Sequence, residues 1–119
     1  MTVTLANITF DCHDAERVAR FWSAALDRPL AEGASAGFAS LAPRIDGEQQ
    51  WLFLGVPEGK SVKNRVHVDV TAPDRRAEIA RLVELGAEEV GDKDEWGFSW
   101  TVMRDPEGNE FCLAQADQH

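Results

Sequence analysis

At 119 residues, 44% of them apolar, the chain is one domain's length and can bury a core without a disulfide or metal staple, which excludes a disordered protein. Its 21 acidic and 12 basic residues leave a net charge of −9, which repels phosphate backbones and anionic lipid and so argues against nucleic-acid and membrane partners. The opening Met-Thr-Val-Thr-Leu has no basic n-region, and no long apolar run follows, so neither a signal peptide nor a membrane span is expected and the predicted location is cytoplasmic.

The first element is a strand within Thr2 to Cys12, with Ile8, Phe10 and Cys12 on one face and Asn7, Thr9 and Asp11 on the other. Asp14 is positioned to cap a helix over Ala15 to Leu26, whose Val18, Phe21, Trp22, Ala25 and Leu26 recur at helical spacing. Arg28-Pro29 ends it. Short strands are expected around Leu30-Ala31, Gly37 to Leu41 and Gln50 to Val56, and the polar Pro57-Glu58-Gly59-Lys60 reads as a linker.

A second strand-helix unit then begins. Arg65 to Thr71 alternates, with valines 66, 68 and 70 on one face and His67, Asp69 and Thr71 on the other. Pro73-Asp74 starts a helix carrying Ile79, Leu82, Val83 and Leu85, closed at Gly86, and Ala87 to Val90 is a short strand. The acidic run Gly91 to Gly97 reads as a solvated loop. Phe98 to Met103 and Glu110 to Ala114 form a hairpin about Asp105-Pro106-Glu107-Gly108-Asn109, in which Pro106 presets φ for the turn. Counting outward from that turn opposes Arg104 to Glu110, Val102 to Cys112 and Trp100 to Ala114.

The two units echo each other. A shift of sixty residues sets Asn7 on His67 and Asp14 on Asp74; one residue more sets Val18-Ala19-Arg20-Phe21 on Ile79-Ala80-Arg81-Leu82. Such a repeat implies a pseudo-twofold architecture whose repeated strands face a shared interior.

With Phe21-Trp22-Ser23-Ala24-Ala25-Leu26, Lys63-Asn64-Arg65-Val66-His67-Val68-Asp69 and the closing Asp105-Pro-Glu-Gly-Asn-Glu-Phe-Cys-Leu113, the chain resembles the vicinal oxygen chelate superfamily. That group spans glyoxalases, bleomycin-resistance proteins and extradiol dioxygenases, and the small bacterial glyoxalase-like domains are the nearest in pattern. The resemblance covers the whole chain. It implies an α+β fold of two βαβββ modules in tandem, about 1–57 and 64–116 of a single domain. These would form a cup-shaped mixed sheet around a cavity, with helices outside and a homodimer as the assembly.

In metal-dependent members four residues ring the cavity, one from the first and one from the last strand of each module. Carried over, these positions are Asn7, Leu54, His67 and Cys112. Leucine offers no donor and an asparagine amide is a weak one for transition metals, so only His67 remains a strong ligand and the ring reads as degraded. No cofactor is therefore expected, with a divalent Zn, Ni, Fe or Mn as the lesser alternative.

The residues assigned to the cavity are Asn7, Thr9, Leu54, His67, Asp69, Trp96, Trp100, Val102 and Cys112. His67 is the candidate acid or base, with Asp69 two residues on to orient it. Trp22 and Trp51 are expected in packing, whereas Trp96 and Trp100 could form a stacking wall. Cys12 and Cys112, without Cys-x-x-Cys spacing, are expected as thiols, most simply small buried hydrophobes. The expected function is binding of a small organic molecule, cationic or aromatic, in an interior cavity without the usual metal. The alternative is a metal-dependent or His67-based lyase, isomerase or dioxygenase acting on a small metabolite.

Overall fold

The computed structural model describes residues 2–116. The chain divides into two compact units, Met1–Gly59 and Lys60–His119, whose boundary falls within the predicted linker. No described helix is long and apolar enough to cross a membrane.

The first unit contains β1 (Asn7–Cys12), α1 (Ala15–Leu26), β2 (Phe38–Leu41) and β3 (Gln50–Gly55), with sheet order β1-β3-β2. β1 and β3 run parallel and β2 pairs antiparallel to β3. The second contains β4 (Val68–Ala72), α2 (Arg75–Glu84), β5 (Glu88–Glu95), β6 (Phe98–Arg104) and β7 (Glu110–Gln115), ordered β4-β7-β6-β5. Here β4 and β7 run parallel and the remaining pairs are antiparallel. Each unit thus pairs its first strand with its last, and both sheets are mixed, as the α+β tandem-module reading requires. The predicted strand at Leu30-Ala31 is reduced to a single bridge, Leu30 to Leu41, in the place β5 takes beside β6.

The repeat is visible in the helix caps. Asp14 (φ −130°, ψ 99°) accepts a hydrogen bond from the Arg17 amide, and Asp74 (φ −132°, ψ 97°) accepts one from the Ala77 amide. Each satisfies an amide that the first helical turn leaves without a partner. α1 packs on its sheet through Val18, Ala19, Phe21 and Trp22, all buried. Trp22 lies edge-on to Phe21 and beside Trp51 and Phe10, with ring centroids 5.2, 5.4 and 6.5 Å away. Phe10 in turn stacks on Trp51 and Phe53. Trp22 and Trp51 are therefore core, as their spacing predicted.

α2 buries less. Ile79 and Leu82 are inside, but Val83 and Leu85, expected on the same stripe, are exposed. Val83 follows Leu82 by one position, about 100° around a helix of 3.6 residues per turn, and Leu85 lies past the last helical residue as the C-cap.

Three boundaries differ from the sequence reading by more than one residue. β1 starts at Asn7, five residues after Thr2, and β4 starts at Val68, after His67. The stretch before β4 is held by other bonds: the Asn64 amide donates to Glu110 Oε1 and the Asn64 side chain to Asn109 Oδ1, each at 3.0 Å. The third difference is the largest. The acidic run is no loop, because β5 continues to Glu95 and pairs along β6 as far as Phe98. Its charges suit an edge strand, which they protect from further pairing. One of them is also partnered: Asp92 accepts from the Thr101 hydroxyl at 2.8 Å and from Arg76 at 2.5 Å.

A bulge interrupts this pairing. Glu89 opposes Met103 and Gly91 opposes Val102, leaving Val90 as the extra residue. Beyond it, Gly91, Lys93 and Glu95 stand opposite Val102, Trp100 and Phe98.

Candidate functional site

The helix-free face of the second sheet floors a pocket of about 460 Å³, a volume within the range of small-molecule sites. Strand alternation and register bring its lining together. β4 contributes Asp69 and, one residue before the strand, His67; β7 contributes Glu110, Cys112 and Ala114; β6 contributes Phe98, Trp100 and Val102. The predicted pairs Arg104–Glu110, Val102–Cys112 and Trp100–Ala114 are those observed. Lys93, Glu95 and Trp96 form the β5 side, and Lys63 and Ser99 complete the wall.

Of the residues assigned from sequence, His67, Asp69, Trp96, Trp100, Val102 and Cys112 line this one pocket. Asn7, Thr9 and Leu54 lie in the first unit, where β1 pairs with β3. By the sixty-residue echo, Thr9 corresponds to Asp69. Asp69 opposes Cys112 while Thr9 opposes Leu52, so strand register makes Leu52 the counterpart of Cys112, with Leu54 opposite Asp11. Either leucine lacks a donor atom, and the chain does not fit a four-residue chelating ring.

Lys93, Glu95 and Phe98 were not assigned from the sequence. Trp96-Gly97 is the signal that could have found them, because an X-Gly pair between alternating strands marks a two-residue hairpin. Reading that turn sets Lys93 against Trp100 directly. Lys63 lies outside any strand and leaves no periodic trace.

The turn itself is strained. Trp96 has φ 53° and Gly97 φ 79°, the double positive-φ arrangement of a type I′ turn, which favours Asn or Gly first. Trp96 is also 86% exposed, so burial does not compensate for its conformation. Trp96→Asn is expected to raise the unfolding free energy by about 1 kcal/mol by relieving the left-handed backbone. Urea denaturation checks this, and an unchanged midpoint would mean that the turn carries no strain.

Three groups meet at the pocket floor. His67 Nε2 lies 3.5 Å from Asp69 Oδ1, and donor atoms of His67, Asp69 and Cys112 all fall within 4.8 Å of one another. Burial pushes the Cys112 thiol up, the negative charge of Asp69 adds to this, and Lys63 opposes it. Cys112 is therefore a neutral thiol at pH 7 and a poor nucleophile. Cys12 is buried, its Sγ 3.4 Å from the Leu54 carbonyl oxygen.

At the pocket edge Glu110 is fully engaged. It accepts from the Asn64 amide and pairs with Lys60 at 3.0 Å, with Arg104 Nε 4.0 Å away. Desolvation works against its charge, but the Asn64 amide and Lys60 outweigh it and hold the carboxyl down at about 2. The turn beside it is equally prebuilt: Asp105 Oδ1 accepts from the Glu107 and Asn109 amides, each at 2.9 Å.

A family model described as a glyoxalase-like domain matches residues 7–114. No curated protein matches the chain. Among solved structures, a glyoxalase/bleomycin resistance protein/dioxygenase family enzyme from Burkholderia phytofirmans PsJN superposes with TM-score 0.72 at 15% identity, covering 95% of this chain and 98% of that one. The fosfomycin resistance protein FosX from Mesorhizobium loti gives 0.70 at 16% identity, covering 98% and 94%. TnmS3, an antibiotic binding protein from Streptomyces sp. CB03234, gives 0.64 at 19% identity, covering 97% and 98%. These identities speak to the fold alone. Paired first and last strands in each unit, matching aspartate caps and a family match spanning both units make the chain a member of the glyoxalase-like domain family, within the vicinal oxygen chelate superfamily.

Proposed function

We propose that this protein binds a flat, largely aromatic small molecule in the pocket of its second unit, without the four-residue metal ring of its metal-dependent relatives. The observation that carries the reading is the wall of Trp96, Phe98 and Trp100 over a floor of Val102, Ala114 and the neutral thiol of Cys112. Such a surface gains most from an aromatic face, through area burial and offset stacking. The charges nearby are close to balanced, Lys63 and Lys93 against Asp69 and Glu95, with Glu110 committed to Lys60. That balance favours the aromatic of the two ligand classes, cationic or aromatic, expected from the sequence. The likeness to an antibiotic-binding protein is consistent with sequestration.

A thermal-shift screen of planar aromatic compounds, followed by titration of the best, tests this. Trp100→Ala is expected to weaken binding roughly tenfold, the loss of about 1.4 kcal/mol that one stacking partner supplies. Equal shifts in parent and variant would remove the pocket from the reading. A catalytic alternative, with His67 as acid or base, draws support from the 3.5 Å approach of Asp69. Conversion of a bound compound, abolished in His67→Gln, would establish it.

A further inference from the structure

The charges around the pocket balance in number but not in place. We propose that Lys93 selects an acidic group on the bound aromatic, so that the ligand class is a flat ring bearing a carboxylate or a similar anionic substituent. This rests on the aromatic reading above and adds to it the sign of the ligand's charge.

Strand register sets out the charges. The second sheet runs β4-β7-β6-β5, so Asp69 on β4 and Lys93 on β5 stand on its two edges. Three strand spacings, roughly 14 Å across the sheet, separate their backbones. Trp100 pairs with Lys93 on one side and with Ala114 on the other. A ring lying on the indole therefore has the Lys93 ammonium beside it and the small Ala114 side chain across the floor. Glu95, the other β5 charge that lines the pocket, pairs with Phe98. It stands two residues nearer the Trp96-Gly97 tip, about 7 Å further out. Asp92 and Asp94 alternate to the opposite face, where Asp92 bonds Arg76 and Thr101.

Among the described residues, neither Lys93 nor Glu95 forms a hydrogen bond or an ion pair, and place decides between them. Lys93 flanks the stacking surface. Glu95 is next to Trp96, which is 86% exposed, and at that open end water screens its charge. On the β4 side the charges offset one another. Asp69 lies 3.5 Å from His67 Nε2, Asp69 and Lys63 act on the Cys112 thiol in opposite senses, and Glu110 is held by Lys60 and Asn64. A carboxylate is the partner that a free ammonium favours most, because hydrogen bonds between charged groups are shorter and stronger than neutral ones. The net charge of −9 repels an anion from a distance, but salt screens that field, whereas the ammonium acts at contact.

Calorimetric titration of the full chain with one ring in three charge states tests this, using naphthalene-2-carboxylate, naphthalene-2-carboxamide and naphthalen-2-ylmethylammonium. The carboxylate is expected to bind roughly tenfold more tightly than the amide, with the ammonium weakest. Lys93→Gln should bring carboxylate and amide to within about twofold of each other. Lys93→Glu should invert the order in favour of the ammonium, an effect that loss of a merely structural side chain would not produce. Lys63→Gln should leave most of the carboxylate's advantage in place. Both lysines are exposed, so these substitutions are compatible with folding, and thermal midpoints check it. Trp100→Ala should weaken all three ligands while keeping their order. If the amide or the ammonium binds the parent as tightly as the carboxylate, or if Lys93→Gln keeps the full preference, the charge assignment is overturned and the aromatic reading stands. If none of the three binds, both fall.

Discussion

Glu110→Gln is expected to lower stability at pH 7 by about 2–3 kcal/mol, and the deficit should disappear as the pH falls toward 2. In the folded chain the Asn64 amide and Lys60 hold this carboxyl at about 2, against an ordinary value of 4.5. A depressed folded-state value means that the charged form is stabilised by folding. The contribution is complete above about 4.5, where the unfolded chain is also ionised, and is lost between 4.5 and about 2. Glutamine keeps an acceptor for Asn64 but leaves Lys60 without its counter-charge. Urea denaturation of parent and variant at pH 7, 5 and 3 reads the effect directly. A deficit of constant size across that range would assign Glu110 a packing role rather than an electrostatic one.

Trp22→Ala should cost more, about 3–5 kcal/mol. The indole is 1% exposed and touches aromatic rings from its own helix and from β1 and β3. Its removal leaves a cavity that three rigid rings cannot refill. Set against a typical total stability of 5–15 kcal/mol, the loss brings the first unit close to unfolding. Trp22→Phe retains part of the contact and should recover more than half of the deficit. Denaturation monitored by far-ultraviolet circular dichroism distinguishes the series. A Trp22→Ala midpoint matching that of the parent would show that the aromatic cluster does not hold α1 to its sheet.

Much of this fold is readable in the sequence, for identifiable reasons. Asp14 and Asp74 announce their helices because a capping carboxylate at the first turn has a local chemical role. The β6–β7 register follows from counting outward from Asp105-Pro106, since a tight turn fixes every pair beyond it. That register delivered Trp100, Val102 and Cys112 to one face. What escaped was set by contacts distant in sequence. The segment before β4 is held by Asn64 bonding to Asn109 and Glu110, 45 and 46 residues away, and no periodicity encodes such a bond. The acidic run was misread as a loop because its composition does not show that it pairs along β6, where Asp92 bonds Arg76 and Thr101. The position of Asp69 directly across from Cys112 escaped as well, because it depends on the parallel pairing of β4 with β7.

The bulge at Val90 sets the chemistry of one pocket wall. Strict alternation from Glu88 would turn Asp92 and Asp94 toward the pocket; the extra residue instead presents Lys93 and Glu95. One inserted position thereby exchanges two carboxylates for a lysine and a carboxylate, with no substitution anywhere in the strand. Within this family, then, the insertion or deletion of a single β5 residue is a route by which ligand charge preference can change in one evolutionary step, while the aromatic surface facing it stays as it was.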